Sequence, residues 1–271
     1  MIQLLEQDCR MENRNSSKGN QMKWCREAIW YKADYTGYEG LAEYIISRLL
    51  GYSTLSEEEY VDYETEQMSY KAQRYTGCKS RNFLPENWQM ITLERLFQGN
   101  YGESLYKKIF SLEDSEKRLE FLADYVVRMT GLKDFGIYMS KLMTIDALFL
   151  NEDRHTHNIA VLLDPEGNYH YCPIFDNGAG LMADTTIDYP MSVPVEELFG
   201  TVSAKTFCMD FDEQLDIAEQ LYGQQVKFYF SRKDVVELLE QEKNYPEDVK
   251  KRVCDILTEQ RRKYQYLFIK R

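Results

Sequence analysis

The chain has 271 residues, 44% hydrophobic and 14% aromatic, enough apolar content to bury a sizeable core in one large domain or two lobes. Its net charge of -12 argues against a constitutive binder of nucleic acid or anionic membrane, since such binders neutralise phosphates with clustered Lys and Arg. The first twenty residues lack a signal-peptide pattern and no stretch approaches the roughly 20 apolar residues of a membrane span, so a cytoplasmic protein without a membrane span is expected. Cys9, Cys25, Cys78, Cys172, Cys208 and Cys254 lie far apart with no C-x-x-C pair, which suits reduced structural thiols.

Along the chain, residues 21 to 34 are rich in β-prone aromatics and read as a hairpin, with Ala28, Trp30 and Lys32 on one face of its second strand. After a turn at Gly37, apolar residues at Leu41, Ile45 and Leu49 and at Ile46 and Leu50 predict an amphipathic helix that stops at Gly51. "EEYVDYETE" and "NWQMITLERLF" read as further strands. From about residue 103 the pattern turns helical, at "GESLYKKIFSL", "SEKRLEFLADYVVRMTG" and "FGIYMSKLMTIDALFL". Residues 158 to 175 form two apolar runs around a Pro/Gly/Asn turn, followed by an irregular segment over 176 to 205. Helical patterns return at "DEQLDIAEQLYG", "RKDVVELLEQ" and "PEDVKKRVCDILTEQRRKYQYLFIK".

The polar stretch "LNEDRHTHNIAVL" lies between a buried-looking helix and that hairpin, so rigid elements hold it on both sides. Asp153 and Asn158 are five residues apart, and "FDNG" with Asp176 follows the hairpin. This is the order of catalytic loop and metal-binding Asp in protein kinases, although the flanking letters differ from H-R-D and D-F-G. A hydroxyl attacking a γ-phosphate needs a carboxylate to orient it and accept its proton, the role open to Asp153. Mg²⁺ prefers hard oxygen ligands, which Asn158 and Asp176 supply beside ATP phosphates. The literal D-F-G at Asp134 to Gly136 precedes this loop and reads as a helix start.

Lys32 on a strand, followed by a helix bearing Glu39 and Glu43 one turn apart, matches the Lys-to-Glu pair that holds the α and β phosphates. Either Glu is in reach by spacing alone. Upstream, "NSSKGNQMK" has small residues before a strand and suits a loop whose N–H groups approach phosphates. "ITLERLF" offers backbone at a lobe junction for pairing with adenine.

Together these segments resemble the HipA-like serine/threonine kinases, relatives of the wider protein-kinase and phosphoinositide-kinase superfamily. Ser16-x-x-Gly19-x-Gln21-x-Lys23 is similar to the family's phosphate loop, with Ser17 inside it, and Lys32 with Glu39 or Glu43 to its strand Lys and helix Glu. "LERLF" resembles the hinge, and "NEDRHTHN" with "PIFDNG" the catalytic and metal-binding segments. The likeness spans roughly residues 13 to 180. It implies Asp153 as catalytic base, Asn158 and Asp176 as Mg²⁺ ligands, Lys32 on phosphate, and Glu94 to Leu96 facing adenine. It also implies ATP and Mg²⁺ as cofactors, a protein Ser or Thr as acceptor, and Ser16 where the family carries an inhibitory autophosphorylation. The chain starts close to the phosphate loop, so a minimal form without the family's extra N-terminal domain is expected.

The expectation is an α+β, two-lobed protein-kinase-like fold, with a small sheet-rich N-lobe over residues 1–97 and a larger helical C-lobe over 98–271. Competing readings are a small-molecule or lipid-headgroup kinase, a nucleotide-binding pseudokinase, and a zinc hydrolase using the His155-x-His157 pair with Asp153 or Asp176. His155 reads better as hydrogen-bonding support for the loop than as a zinc ligand. The segment from Asp176 to about Pro194 has the position of an activation loop and contains Thr185, Thr186 and Tyr189.

Overall fold

The computed structural model describes residues 1–10 and 21–269. The chain divides into two compact units, neither of them continuous in sequence. The first comprises Met1–Phe83, Asp176–Thr201 and Lys227–Arg271; the second comprises Leu84–Phe175 and Val202–Val226. The first crossing comes at 83/84, and two later segments group again with the N-terminal part.

The first unit is built on a five-stranded sheet. Its strands are β1 (Ile2–Gln3), β2 (Lys23–Arg26), β3 (Ile29–Ala33), β4 (Glu64–Tyr70) and β5 (Gln73–Arg81), in the order β1-β4-β5-β3-β2. All neighbours are antiparallel except β1 with β4. Alternation along β3 sends Tyr31 and Ala33 into an apolar cluster with Leu4, Trp24, Met68 and Tyr70. Lys32 takes the opposite face. Ala28, expected on that face too, instead forms a two-residue turn with Glu27, both at positive φ (60° and 53°). Lys71 and Ala72, at φ 48° and 64°, make the same kind of turn between β4 and β5.

Helix α1 (Glu39–Leu50) follows β3, and Leu41, Ile45, Ile46, Leu49 and Leu50 are all buried. Its N-terminal turn rides directly on the sheet backbone. A Cβ at Gly40 would lie 2.5 Å from the Gly77 carbonyl carbon, and one at Gly77 would lie 2.0 Å from the Lys32 carbonyl oxygen. Glycine at position 40 permits the close approach of α1 to β5, and glycine at position 77 the close approach of β5 to the β3 backbone.

The second unit begins with strand β6 (Gln89–Thr92) and helices α2 (Leu93–Tyr101), α3 (Leu105–Phe110), α4 (Ser115–Thr130) and α5 (Phe135–Phe149). Strands β7 (Ala160–Leu163) and β8 (Tyr169–Tyr171) complete a three-stranded antiparallel sheet, β6-β7-β8. Residues 87–97, read as one strand, are half strand and half helix. Thr92 accepts from the Arg95 N–H and caps α2, and the spacing of Leu93, Leu96 and Phe97 is helical. Asp134 precedes α5 as its N-cap residue, so D-F-G at 134 to 136 is a helix start.

The chain then returns to the first unit with the short helix α6 (Val195–Leu198), passes back for α7 (Phe211–Tyr222), and ends in the first unit with α8 (Arg232–Gln241) and α9 (Glu247–Lys263). Helix α7 packs on α5, and α8 packs on α1 and α9. Among the described residues no helix is long and apolar enough to cross a membrane. All six cysteines are unpaired, and burial pushes the Cys172 and Cys208 thiols up to about 12.

Candidate active site

In the first unit, Lys32 is held between two carboxylates. Its Nζ donates to Glu43 Oε1 at 2.7 Å and to Asp176 Oδ1 at 2.8 Å, and lies 5.1 Å from the centre of the Tyr63 ring. Burial alone would pull the ammonium down, but Asp176 and Glu43 outweigh it and hold the group well above its ordinary range. The other oxygen of Glu43 accepts from the Asn177 backbone N–H at 2.9 Å. One buried carboxylate therefore fixes both the lysine and the residue after Asp176.

Spacing alone left Glu39 and Glu43 open as partners of Lys32; the structure selects Glu43. Glu39 closes the preceding turn instead, accepting from the Thr36 N–H and hydroxyl at 2.8 Å and from the Gly37 N–H at 3.2 Å. That turn is also bound to the segment beyond Asp176. The Tyr38 N–H donates to the Ala183 carbonyl at 3.1 Å, the Thr185 and Thr186 N–H groups donate to the Thr36 carbonyl, and the Tyr38 hydroxyl reaches the Leu181 carbonyl at 2.6 Å. Gly37 makes this clasp possible, since a Cβ there would fall 1.8 Å from the Ala183 oxygen. Asp176, Leu181 and Met182 all sit in the left-handed region, at φ 61°, 56° and 55°. Thr186 is exposed, whereas Tyr189 is buried.

In the second unit, α5 ends when Leu150 turns left-handed at φ 54° and donates to the Asp146 carbonyl. The loop that follows winds around a buried ion pair. Arg154 Nε lies 3.2 and 3.1 Å from the two oxygens of Asp146, and each residue is no more than 1% exposed. Arg154 Nη1 donates to the carbonyls of Asn158 at 3.2 Å and Phe175 at 2.8 Å, and Asn151 Nδ2 donates to Asp146 Oδ1 at 2.9 Å. Burial drives the Asp146 carboxyl upward even against the pull of Arg154 and Asn151.

This scaffold brings Asp153 and Asn158 into contact. Asn158 Nδ2 donates to the Asp153 carbonyl at 2.8 Å and lies 3.4 Å from its Oδ2, so the amide oxygen is turned away from Asp153. His155 Nε2 is 3.7 Å from Asp153 Oδ1, and Lys205 Nζ is 4.0 Å from the same oxygen. Lys205 comes from a segment whose irregular sequence carries no motif, and nothing local marked it.

The remaining expected residues are placed less directly. Ser16, Ser17 and Gly19 lie outside the described residues; Gln21 is half-buried just before β2. Glu94 is in helix α2, and its carboxylate accepts from the N–H groups of Leu105 and Tyr106, each at 3.1 Å, and from the Thr156 hydroxyl at 2.7 Å. Burial would raise this carboxyl, but bonds from Ser104, Thr156 and the Tyr106 amide bring it below the usual range. Leu96 is buried in the same helix. The segment expected as a hinge at 93–97 lies in helix α2, and the Glu94 N–H in its first turn already donates to the Thr156 carbonyl.

His157 uses its backbone N–H on His155 Nδ1, and His170 pairs with Asp164 on the hairpin, holding that carboxyl at about 2. Among the described residues no three His, Cys, Asp or Glu side chains gather as a metal cluster, so the His155-x-His157 pair has no third ligand of that kind.

No family model matches the chain, and no curated protein matches it. Among solved structures it is similar to the proinflammatory kinase CtkA of Helicobacter pylori, at 15% identity and a TM-score of 0.60, over 96% of this chain and 95% of that one. The fold is kinase-like and two-lobed. The described sheet with its α1 Glu-to-strand Lys pair, and the loop-and-hairpin of the second unit, are the parts of that fold which carry the candidate side chains.

Proposed function

We propose that the chain is a Mg²⁺- and ATP-dependent phosphotransferase, a protein Ser/Thr kinase of HipA-like type. The observation that carries this reading is the bracketing of Lys32 by Glu43 and Asp176, a mostly buried cation in a kinase-like fold. A surface lysine has no need of two carboxylates within 3 Å, whereas a lysine that receives phosphates must be held and oriented.

The donor chemistry suits the implied groups. Asn158 and Asp176 offer an amide oxygen and a carboxylate, the hard ligands Mg²⁺ takes, and bound Mg²⁺ neutralises charge on the ATP phosphates. Asp153 accepts the proton of the acceptor hydroxyl. Asn158 keeps Asp153 oriented through its amide nitrogen, and Lys32 receives phosphate oxygens while Glu43 holds it in place. Ser16 is a self-phosphorylation site in this reading, with Gln21 at the end of the phosphate loop.

Incubation with γ-labelled ATP and Mg²⁺, followed by mass spectrometry of the chain, tests the proposal. Transfer to Ser16 or another hydroxyl by the wild type, reduced to a small residual rate in Asp153→Asn and Asp176→Asn, is the expected result. Nucleotide binding without transfer would leave a nucleotide-binding module, and transfer to added small alcohols alone would place the chain with the small-molecule kinases.

A further inference from the structure

Lys205 is not part of any motif in the chain, yet its ammonium is directed at the carboxylate proposed as the base. Its Nζ lies 4.0 Å from Asp153 Oδ1, and its side chain is 32% exposed while that of Asp153 is 17% exposed. The backbone around it is fastened on three sides. The Thr206 hydroxyl donates to the Arg154 carbonyl at 2.7 Å, and Thr206 and Arg154 are both buried. The Phe207 N–H donates to Gln214 Oε1 at 3.1 Å, and its carbonyl accepts from Arg118 Nη1 at 3.1 Å. Residue 205 is thus tied, through its neighbour, to the same loop that carries Asp153. A solvated lysine on a free loop would have no such anchor.

We infer that Lys205 is a catalytic residue whose ammonium contacts the phosphoryl group during transfer; this rests on the kinase reading above. Beside Asp153 the acceptor oxygen loses its proton to the carboxylate as the new O–P bond forms. The bond from the γ-phosphorus to the bridging oxygen breaks, and ADP leaves with that electron pair. Lys205 exchanges no proton. It supplies a fixed positive charge where the transferred oxygens gain negative charge, and a pre-placed cation there stabilises the transition state more than the ground state. In a chain of net charge -12, a cation beside Asp153 gives an incoming anionic group a local positive partner.

The test is single-turnover transfer from γ-labelled ATP with Mg²⁺, together with the Kd for ATP, in Lys205→Met, Lys205→Gln and Lys205→Arg. The expected result is a loss on the order of 10²-fold in the transfer rate for Met and Gln, with ATP affinity within about twofold of wild type. Lys205→Arg, which keeps the charge, should retain the rate within about tenfold. Combining Lys205→Met with Asp153→Asn separates contact with phosphate from mere support of Asp153. A further fall below the residual rate of Asp153→Asn supports the inference, and no further fall overturns it. Wild-type rates in folded Lys205→Met and Lys205→Gln overturn it while the kinase reading stands. Equal, measurable rates in wild type and Asp153→Asn overturn Asp153 as the base, and this inference with it, while absence of transfer by the wild type overturns the kinase reading itself.

Discussion

Glu43 holds Lys32 at 2.7 Å with one oxygen and the Asn177 backbone with the other. The two bonds lie on opposite sides of one buried carboxylate, so its neutral isostere keeps the shape and loses the charge. Glu43→Gln is expected to lower kcat/KM for ATP by at least about tenfold, or roughly 1.4 kcal/mol, chiefly through KM. Glu39→Gln should leave KM for ATP near wild type, because Glu39 serves the turn and not the lysine. Steady-state kinetics of the two variants side by side decide between them.

Gly37→Ala places a Cβ against the Ala183 carbonyl, which is backbone and has little room to yield. The expected cost is about 1–3 kcal/mol, read as a lower urea midpoint at an unchanged slope. An unchanged midpoint would mean that the clasp between residues 36–38 and 181–186 contributes little to the fold.

Asp34 makes stability depend on pH in an unusual direction. Burial and the neighbouring Glu39 raise its carboxyl, bonds from Tyr245 and Gly40 oppose them, and the outcome is about 8. Between its ordinary value of 3.8 and about 8, the unfolded chain gives up a proton that the folded chain retains. Stability from this group therefore falls as pH rises through that window, and levels off above it. Denaturation at pH 5 and pH 8.5 should show the loss, and Asp34→Asn should remove that part of it. A pH slope identical in the two proteins would refute the assignment.

Breaking the buried pair between Arg154 and Asp146 leaves one uncompensated charge in the core. Arg154→Met or Asp146→Leu alone should each cost about 3–5 kcal/mol, whereas the double variant should recover much of that loss. The double variant still lacks donors for the Asn158 and Phe175 carbonyls, so its transfer activity should stay low when its stability returns. Equilibrium denaturation and labelled-ATP transfer, measured on the same samples, separate the two effects.

Much of the site could be read along the chain because its chemistry is local. Asp153 and Asn158 meet within one loop, and Lys32 and Glu43 lie on adjacent elements whose periodicities are plain. What escaped was long-range or carried by unusual turn residues. The β4–β5 hairpin turns on Lys71-Ala72, not on Gly or Asn, so no turn signal marks it. Thr92 reads as a strand residue until its hydroxyl is seen capping α2. Arg154 finds its partner eight residues back inside a helix, and Lys205 reaches Asp153 from some fifty positions away, distances at which spacing carries no information. The phosphate loop expected at Ser16 to Gly19 lies outside the described residues.

The left-handed backbone at Asp176 has a consequence for laboratory evolution. A side chain at φ 61° is held against its own preference, and glycine there would relieve about 1 kcal/mol of that tension. The same change would take from Lys32 one of the two carboxylates that hold it, at 2.8 Å, a loss larger than the relief, so a selection for heat resistance alone should also retain the acid. At position 176, robustness and chemistry therefore favour the same residue, and a library left free there should still return aspartate.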